Sequence, residues 1–199
     1  MGAQIQGLLP DRSRAVLLVL DMISDFQFPD GPQVQRAARR IAPRIAALKK
    51  RARQAGMACI YVNDNPGRWR SDSRQLIEKC LRPNAPGADI VQLLQPQAAD
   101  YFILKPRHSA FYATPLAVLL AHLGTRRLIL TGVSSHQCVL FTANDAHVRN
   151  LEVLVPPDCV AGPTPADTTF ALRYFDSVLG ARVSPSRQLR LRELNRARQ

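Results

Sequence analysis

Short runs of apolar residues alternate along this chain with longer amphipathic segments, and this alternation constrains the fold more than any other feature. The run Ala15–Leu20 is apolar at every position, which is typical of a strand buried on both faces of a sheet. Such strands separated by helices predict an α/β domain with a doubly wound, mainly parallel sheet of about six strands and helices on both faces. The expected strands are Ala15–Leu20, 58–62, 101–104, 127–131, 151–155 and 181–183.

The segments between these strands predict helices. Residues 33–55 are helical in composition, and Pro43 either interrupts this helix or begins a second one. The segment 135–149 follows a strand and a glycine-marked turn, so we expect a helix that begins near the carboxyl end of the sheet. Further helices are expected at 76–81, 115–123 and Pro165–Ser177.

Length and composition favour a single domain over 1–199, with a basic C-terminal tail from about residue 184. No apolar run is long enough to cross a bilayer, and the N-terminal residues lack the pattern of a signal peptide. The four cysteines are widely spaced and form no Cys-x-x-Cys pair. Free thiols in a reducing cytoplasm are the simplest interpretation, so we expect a cytoplasmic protein with no membrane contact.

The chain has a formal net charge of +12, carried mostly by arginine. Much of this charge is spread along the segments 36–53 and 187–198. Clustered cations can bind nucleic acid by releasing counterions from its phosphates. Here the charge is dispersed and no known nucleic-acid-binding motif accompanies it, so solvated helix faces and a basic tail are the better interpretation. We therefore expect no nucleic-acid partner.

Three chemically distinct side chains follow predicted strands. Asp21 follows the first strand, Lys105 follows the third, and Cys138 lies shortly after the fourth. Because ligands of doubly wound sheets bind at the carboxyl ends of the strands, we expect these side chains to meet at one edge. Each has a less specific interpretation, as a solvated or capping carboxylate, a surface lysine and a buried thiol that packs in the core. Their combination is more specific than any one of them.

Cys138 is expected in the first turn of the helix at 135–149. A helix N-terminus carries unpaired N–H groups and partial positive charge, and both favour a thiolate over a thiol. The same N–H groups could stabilise an oxyanion once the thiolate attacks a carbonyl. Cys138 is therefore a candidate nucleophile, Asp21 a candidate general base and Lys105 a charge that stabilises both anions.

Aromatic and histidine side chains near the strand ends are candidates for a substrate pocket. Each could equally pack in the core or anchor a loop. His136, two residues before Cys138, offers an alternative base in a Cys–His dyad, although residues two apart on a helix do not face each other. The pocket candidates are Phe26, Trp69, His108 and Phe111.

Four motifs in this order resemble those of the isochorismatase-like cysteine hydrolase superfamily. That group includes nicotinamidases, N-carbamoylsarcosine amidohydrolases, ureidoacrylate-type amidohydrolases and isochorismatases. The resemblance extends from about residue 14 to about residue 180. The motifs are Leu-Val-Leu-Asp-Met-Ile-Ser-Asp-Phe (18–26), Tyr-Val-Asn-Asp-Asn-Pro-Gly-Arg-Trp-Arg-Ser-Asp (61–72), Lys-Pro-Arg-His-Ser-Ala-Phe-Tyr-Ala-Thr-Pro-Leu (105–116) and Thr-Gly-Val-Ser-Ser-His-Gln-Cys-Val (131–139).

The resemblance implies a catalytic triad of Asp21, Lys105 and Cys138. In this scheme Asp21 takes the thiol proton and later activates water, Lys105 stabilises the charged pair, and Cys138 forms a thioester and expels ammonia or an amine. The resemblance also implies a cis peptide bond between Val133 and Ser134, whose backbone would form an oxyanion hole with the Cys138 N–H. The implied function is that of a metal-independent cysteine hydrolase, which cleaves a C–N bond of a small amide or ureido compound.

Two departures from the superfamily pattern bear on the substrate. Ile23 stands where many members have Gln, which removes a polar group from the site. Metal-binding nicotinamidases carry Asp-x-His after the second strand, whereas this chain has Asn63, Asp64 and Asn65 there and no histidine before His108. We therefore expect no metal ion and no other cofactor, and nicotinamide becomes a less favoured substrate.

Other functions stay open at this point. Vinyl ether hydrolysis of the isochorismatase type is one alternative, although the presence of Cys138 favours acyl chemistry. A non-catalytic, thiol-bearing interaction protein on the same fold is a second, and a basic nucleic-acid-associated protein is a third. For an enzyme the partner is a small-molecule substrate, and the resemblance implies a homo-oligomer, either a dimer or a tetramer.

Overall fold

The computed structural model describes residues 12–65 and 72–196, which contain one seven-stranded sheet. Its strands are β1 (Ala15–Leu20), β2 (Ala58–Asp64), β3 (Tyr101–Lys105), β4 (Arg127–Val133), β5 (Glu152–Val155), β6 (Val160–Ala161) and β7 (Arg182–Val183). The strand order is β3-β2-β1-β4-β5-β7, with β6 paired to the end of β4, and every pairing is parallel. The predicted α/β class and parallel sheet are confirmed. The sequence analysis missed β6 because two residues are too few to show a periodic pattern.

Helices cover both faces of the sheet. They are α1 (Gly31–Gln54), α2 (Ser73–Cys80), α3 (Ala88–Leu94), α4 (Leu116–His122), α5 (Leu140–His147), α6 (Pro165–Ser177) and α7 (Leu191–Asn195). Side chains of α1, α2, α3 and α7 belong to the core on one face, and those of α4, α5 and α6 belong to the core on the other. None of the helices in the described ranges has the length and apolar character that crossing a membrane requires.

The central strand β1 shows why this arrangement forms. Successive side chains of a strand point to opposite faces, so Leu17 packs with the α1 core while Leu18 packs with the α5 core. All six residues of β1 have no exposed surface. Each fully buried Leu or Val side chain contributes about 1.5–3 kcal/mol, which fixes β1 in the centre and Asp21 at its carboxyl end.

Pro43 lies inside α1, which continues unbroken from Gly31 to Gln54. The sequence analysis was therefore wrong to expect an interruption or a second helix there. A proline removes the helical donor to the carbonyl four residues earlier, which here is the carbonyl of Arg39. Both Pro43 and Arg39 are exposed, so water can satisfy that carbonyl and the helix persists.

The basic C-terminal segment packs against the domain as far as the structure describes it. Arg51 of α1 donates hydrogen bonds to the carbonyls of Ser186 (2.9 Å) and Leu189 (2.7 Å). The side-chain Nδ2 of Asn195 in α7 donates to the carbonyl of Ala55 just beyond α1 (3.1 Å). Leu189, Leu191 and Leu194 are buried in the α1 core.

Candidate active site

Four candidate site residues meet where four neighbouring strands, β3, β2, β1 and β4, reach their carboxyl ends. Lys105 ends β3, and its Nζ lies 3.0 Å from Asp21 Oδ2 at the end of β1. The same Nζ contacts Asp64 Oδ1 at the end of β2, and it lies 3.4 Å from Cys138 Sγ. The Lys105 side chain has no exposed surface, so its charge is compensated entirely by these groups. We call Asp21, Asp64, Lys105 and Cys138 the central cluster.

The sequence analysis named three of these residues and missed Asp64. Its position offered a signal, because Asp64 ends β2 much as Asp21 follows β1, but the second strand was predicted to end at residue 62. In the structure β2 continues to Asp64, whose main-chain N–H donates a hydrogen bond to Asp21 Oδ1 (2.8 Å). The Asp64 side chain is 65% exposed, so it interacts more weakly with the buried ammonium than Asp21 does.

One oxygen each of Asp21 and Asp64 and the Cys138 Sγ lie within 4.8 Å of one another. Three acidic groups this close would repel one another if all were ionised. Lys105 Nζ contacts each of the three, so the ammonium provides the positive charge that this set of donors requires. The central cluster therefore combines one cation, Lys105, with up to three anions whose negative charges it partly balances.

Burial controls the protonation of the central cluster. It raises the pKa of Asp21 to about 6, although the Lys105 charge acts in the opposite direction. Burial also raises the pKa of the Cys138 thiol, and the Asp21 carboxylate raises it further. For Lys105, burial alone would lower the pKa, but the Asp21 and Cys138 charges outweigh it and raise it. The resting site therefore holds a protonated thiol beside a carboxylate that ionises near pH 6.

This state differs from the thiolate that the sequence analysis expected at a helix N-terminus. Residues Ser135–Val139 form a π-helical turn, and α5 begins only at Leu140, so Cys138 precedes the α-helix. The Ser134 carbonyl accepts hydrogen bonds from the N–H groups of Gln137 (3.0 Å) and Val139 (3.3 Å). Burial and the neighbouring Asp21 carboxylate both raise the pKa of Cys138 and favour the thiol.

A cavity of about 430 Å³ opens beside Cys138. One wall is the turn after β4, where the peptide bond between Val133 and Ser134 is cis. The opposite wall comes from the segment 23–28 and from α2. The polar side chains that line it are Asp21, Ser24, Asp25, Gln27, Asn63, Asp64, Lys79, His108, Ser134 and Gln137.

The family model for the isochorismatase domain matches residues 15–188 of this chain. The chain belongs to the isochorismatase family. It is 40% identical over 173 residues to the uncharacterized isochorismatase family protein YaaI of Bacillus subtilis, a match that covers 87% of this chain and 94% of that protein. Relatives in this family are hydrolases, and this isochorismatase-family protein is likewise an enzyme of the hydrolase class.

Two characterised relatives point to different substrates. The isochorismatase of Bacillus subtilis is 30% identical over 174 residues, which covers 83% of this chain but only 54% of that protein. The chain thus spans about half the length of that relative. The crystal structure of N-carbamoylsarcosine amidase from Thermoplasma acidophilum is 27% identical, with a TM-score of 0.68, and covers 89% of this chain and 99% of that one. The family assignment therefore leaves the scissile bond open.

The predicted pocket residues of this family member lie in different places. Phe26 and His108 line the cavity. Phe111 does not: it is buried in the core beside α5, and the Arg149 guanidinium lies 4.7 Å from its ring centre. The sequence analysis placed Phe111 in the pocket because it is an aromatic residue near the end of the third strand, but its side chain packs in the core. Trp69 lies outside the described residues.

The histidine nearest to Cys138 is His108 and not His136, the residue that the dyad alternative named. A Cβ built on Gly162 would lie 3.3 Å from His136 Nδ1, which places the His136 ring beside β6 and α6. The His108 ring instead lies beside the thiol, with Nδ1 3.8 Å from Cys138 Sγ. The sequence offered little sign of this contact, because the two residues are 30 positions apart.

Proposed function

We propose that this protein is a metal-independent cysteine hydrolase that cleaves the C–N bond of a small amide or ureido compound. The observation that carries the proposal is the arrangement of Cys138 Sγ at the cavity wall, 3.4 Å from Lys105 Nζ and within 4.8 Å of an Asp21 oxygen. A nucleophile, a proton acceptor and a fixed positive charge thus converge beside a space for a small molecule.

In the proposed reaction, the Asp21 carboxylate accepts the thiol proton as Cys138 Sγ attacks the carbonyl carbon of the substrate. The protonated thiol and the raised pKa of Asp21 support this order of events, because a base with pKa near the working pH both accepts and returns a proton readily. The C–N bond of the tetrahedral intermediate then breaks and leaves a thioester on Cys138. Water hydrolyses the thioester and regenerates the thiol.

Two features of the site would stabilise charge during these steps. Lys105 would hold Asp21 and the developing thiolate in place, since its buried ammonium contacts both groups. We further propose that the backbone at Val133 and Ser134, together with the Cys138 N–H, binds the oxyanion of the tetrahedral intermediate. The position of both residues on the cavity wall beside Cys138 supports that role.

The decisive experiment measures ammonia or amine release from a panel of small primary amides, N-carbamoyl amino acids and ureido acids, with a chelator present. We expect turnover in the wild-type enzyme and a loss of at least about 1000-fold in Cys138→Ala. A matched control is Cys159→Ala, which removes a buried thiol outside the central cluster. Turnover that disappears with the chelator, or survives in Cys138→Ala, would contradict the proposal.

Vinyl ether hydrolysis is the second candidate, because the Bacillus subtilis isochorismatase is among the relatives. That reaction needs protonation of the substrate and no sulfur nucleophile, and Asp21 would serve as the acid. It therefore predicts that Cys138→Ala keeps activity whereas Asp21→Asn loses it. Acyl chemistry predicts loss in both variants, so the pair of variants separates the two reactions.

We also propose a cytoplasmic homo-oligomer. All four cysteines are free thiols, which supports a reducing compartment. Large apolar side chains remain exposed on α5 and α6, among them Phe141 and Phe170, and such surfaces favour association between copies. Light scattering after gel filtration tests the oligomer, and a mass equal to one chain would contradict it.

A further inference from the structure

His108 is a titratable side chain beside Cys138 that the Asp–Lys–Cys scheme does not use. Its Nδ1 lies 3.8 Å from Cys138 Sγ, and its side chain lines the same cavity. The residue is exposed, whereas Cys138 and Lys105 are buried. His108 thus stands between the reacting sulfur and solvent.

The loop that carries His108 is fixed to the helix that follows Cys138. The Ala110 N–H donates a hydrogen bond to Thr142 Oγ1 of α5 (3.0 Å), and the Ser109 hydroxyl donates to Asp145 of the same helix. The His108 ring lies against the ring of Phe141, with 5.3 Å between the centroids. Because α5 continues from the Cys138 turn, these contacts hold the imidazole at a set position relative to the sulfur.

Asp21 is poorly placed to serve every proton transfer. Its Oδ1 already accepts the Asp64 N–H (2.8 Å), and its Oδ2 faces the Lys105 ammonium (3.0 Å). The side chain is only 13% exposed. The nitrogen that leaves the substrate is bonded to the carbon that Cys138 Sγ attacks, so a substrate oriented with that nitrogen toward His108 brings it within hydrogen-bond reach of the imidazole.

We propose that His108 is a catalytic residue that donates a proton to the departing nitrogen and then accepts one from the hydrolytic water. This inference rests on the proposed amide hydrolysis. It gives the two bases separate tasks: Asp21 exchanges a proton with sulfur, and His108 exchanges protons with the leaving group and water.

The proton transfers balance over one cycle. Asp21 takes the Cys138 proton as the S–C bond forms, and the His108 imidazolium protonates the nitrogen as the C–N bond breaks. Neutral His108 then removes a proton from the water that attacks the thioester. As the C–S bond breaks, protonated Asp21 returns its proton to sulfur, which restores the thiol, the carboxylate and the imidazolium.

The test compares two substrates with one acyl group: the amide from the panel above that the wild type hydrolyses fastest, and the 4-nitrophenyl ester of the same acid. The nitrophenolate leaves without a proton, so only the amide requires a general acid. We expect His108→Gln to lower kcat/KM for the amide by about 100-fold or more and to leave the nitrophenolate burst, which reports acylation, within about threefold of wild type. His147→Gln, an exposed histidine later in α5, is the matched control and should affect neither substrate.

Addition of imidazole to His108→Ala provides a second test, because this small base can enter the exposed position and restore proton transfer. We expect partial recovery of amide hydrolysis without a change in the ester burst. Equal losses on amide and ester, or an unaffected amide rate in His108→Gln, would overturn the role of His108 while leaving Cys138 as nucleophile. An ester burst that survives in Cys138→Ala, or a wild type inactive on every amide, would instead refute the proposed function and the present inference with it.

Discussion

The main-chain N–H of Asp64 donates a hydrogen bond of 2.8 Å to Oδ1 of Asp21, so the end of β2 fixes the carboxylate that ends β1. Asp21 has a positive φ of 53°, which is uncommon for a residue other than glycine. This backbone turn directs the carboxylate toward Lys105 instead of along the strand. Because the donor is a main-chain group, a substitution of the Asp64 side chain leaves the hydrogen bond intact.

Because the Asp64 main chain holds Asp21 in place, Asp21→Asn and Asp64→Asn should lower kcat/KM to different extents. We expect Asp21→Asn to lower kcat/KM by about 100-fold or more, since the thiol loses its proton acceptor. Asp64→Asn should stay within about tenfold of wild type, because its side chain is mostly exposed and its N–H still holds Asp21. Steady-state kinetics on the panel amide measure both effects. Similar losses in the two variants would show that Asp21 acts mainly through the charge balance of the central cluster.

The same Asp21→Asn variant should make the Cys138 thiol more acidic even though it lowers turnover. The Asp21 carboxylate raises the pKa of Cys138, so its removal favours the thiolate. We expect the midpoint of the pH dependence of Cys138 alkylation by iodoacetamide to move to lower pH, with labelling at Cys138 located by mass spectrometry. An unchanged or higher midpoint would argue against electrostatic coupling between these two groups.

Activity should depend on pH through Asp21. Burial raises the pKa of this carboxyl to about 6, and only the ionised form can accept the thiol proton. Below that pH the protonated fraction of Asp21 grows, so kcat/KM should rise with increasing pH through a midpoint of about 6. A profile recorded in the wild type from about pH 4.5 to 8 measures this midpoint. A rate independent of pH between about 5 and 7 would be inconsistent with Asp21 as the base.

Removal of the buried ammonium should destabilise the fold. Lys105→Met leaves the Asp21 and Asp64 carboxylates close together without their shared cation, and loss of one partner of a buried pair costs about 3–5 kcal/mol. Arg190→Met is a suitable control, because its exposed pair with Glu193 spans 3.5 Å and should contribute less than about 1 kcal/mol. Urea unfolding measures both free energies of unfolding. Equal values would mean that the ion cluster contributes little to stability.

Gly132 is required where β4 passes the end of β1. A Cβ at this position would lie 2.0 Å from the Leu20 carbonyl oxygen, and φ is +110°. Gly132→Ala should therefore separate the two strands and displace Asp21 from the turn at 133–134. Gly124→Ala is the control, since Gly124 also has a positive φ of 65° but its Cβ would meet nothing within 4 Å.

The two glycine variants separate backbone strain from steric clash. Gly124→Ala should cost about 1–2 kcal/mol from φ alone, whereas Gly132→Ala should lose more stability and nearly all activity. Thermal unfolding and amide hydrolysis report the two quantities. A Gly132→Ala enzyme as stable and active as Gly124→Ala would show that β1 and β4 tolerate the extra atom.

The strand ends were the most predictable part of this molecule. Strands buried on both faces have an unmistakable apolar pattern, so the positions of Asp21, Lys105 and Cys138 after them predicted their convergence. Their chemical roles stay predictions. Asp64 was missed because β2 continues through Asn63, a buried polar residue whose Nδ2 donates to the Ile23 carbonyl (2.9 Å). A polar strand end that is satisfied by tertiary contacts resembles a loop in sequence.

Side-chain direction and short elements were less predictable. Phe111 and His108 lie in one loop, yet one enters the core and the other faces the cavity, and this choice depends on how the loop packs against α5. The helix α3 has only seven residues after a segment rich in proline and glycine, so its apolar positions gave no clear period. The π-helical turn before α5 depends on the path of the chain after β4, which no local propensity encodes.

The two walls of the cavity are formed by parts of the chain that have different structural roles. The central cluster sits on strand ends and one turn of the sheet, whereas the facing wall is formed by the segment 23–28 and by α2. Residues of that facing wall can therefore be exchanged between homologues without moving the central cluster. Differences in substrate between members of the family would then arise mainly in these outer segments, and chimeras that exchange them are a direct route to altered selectivity.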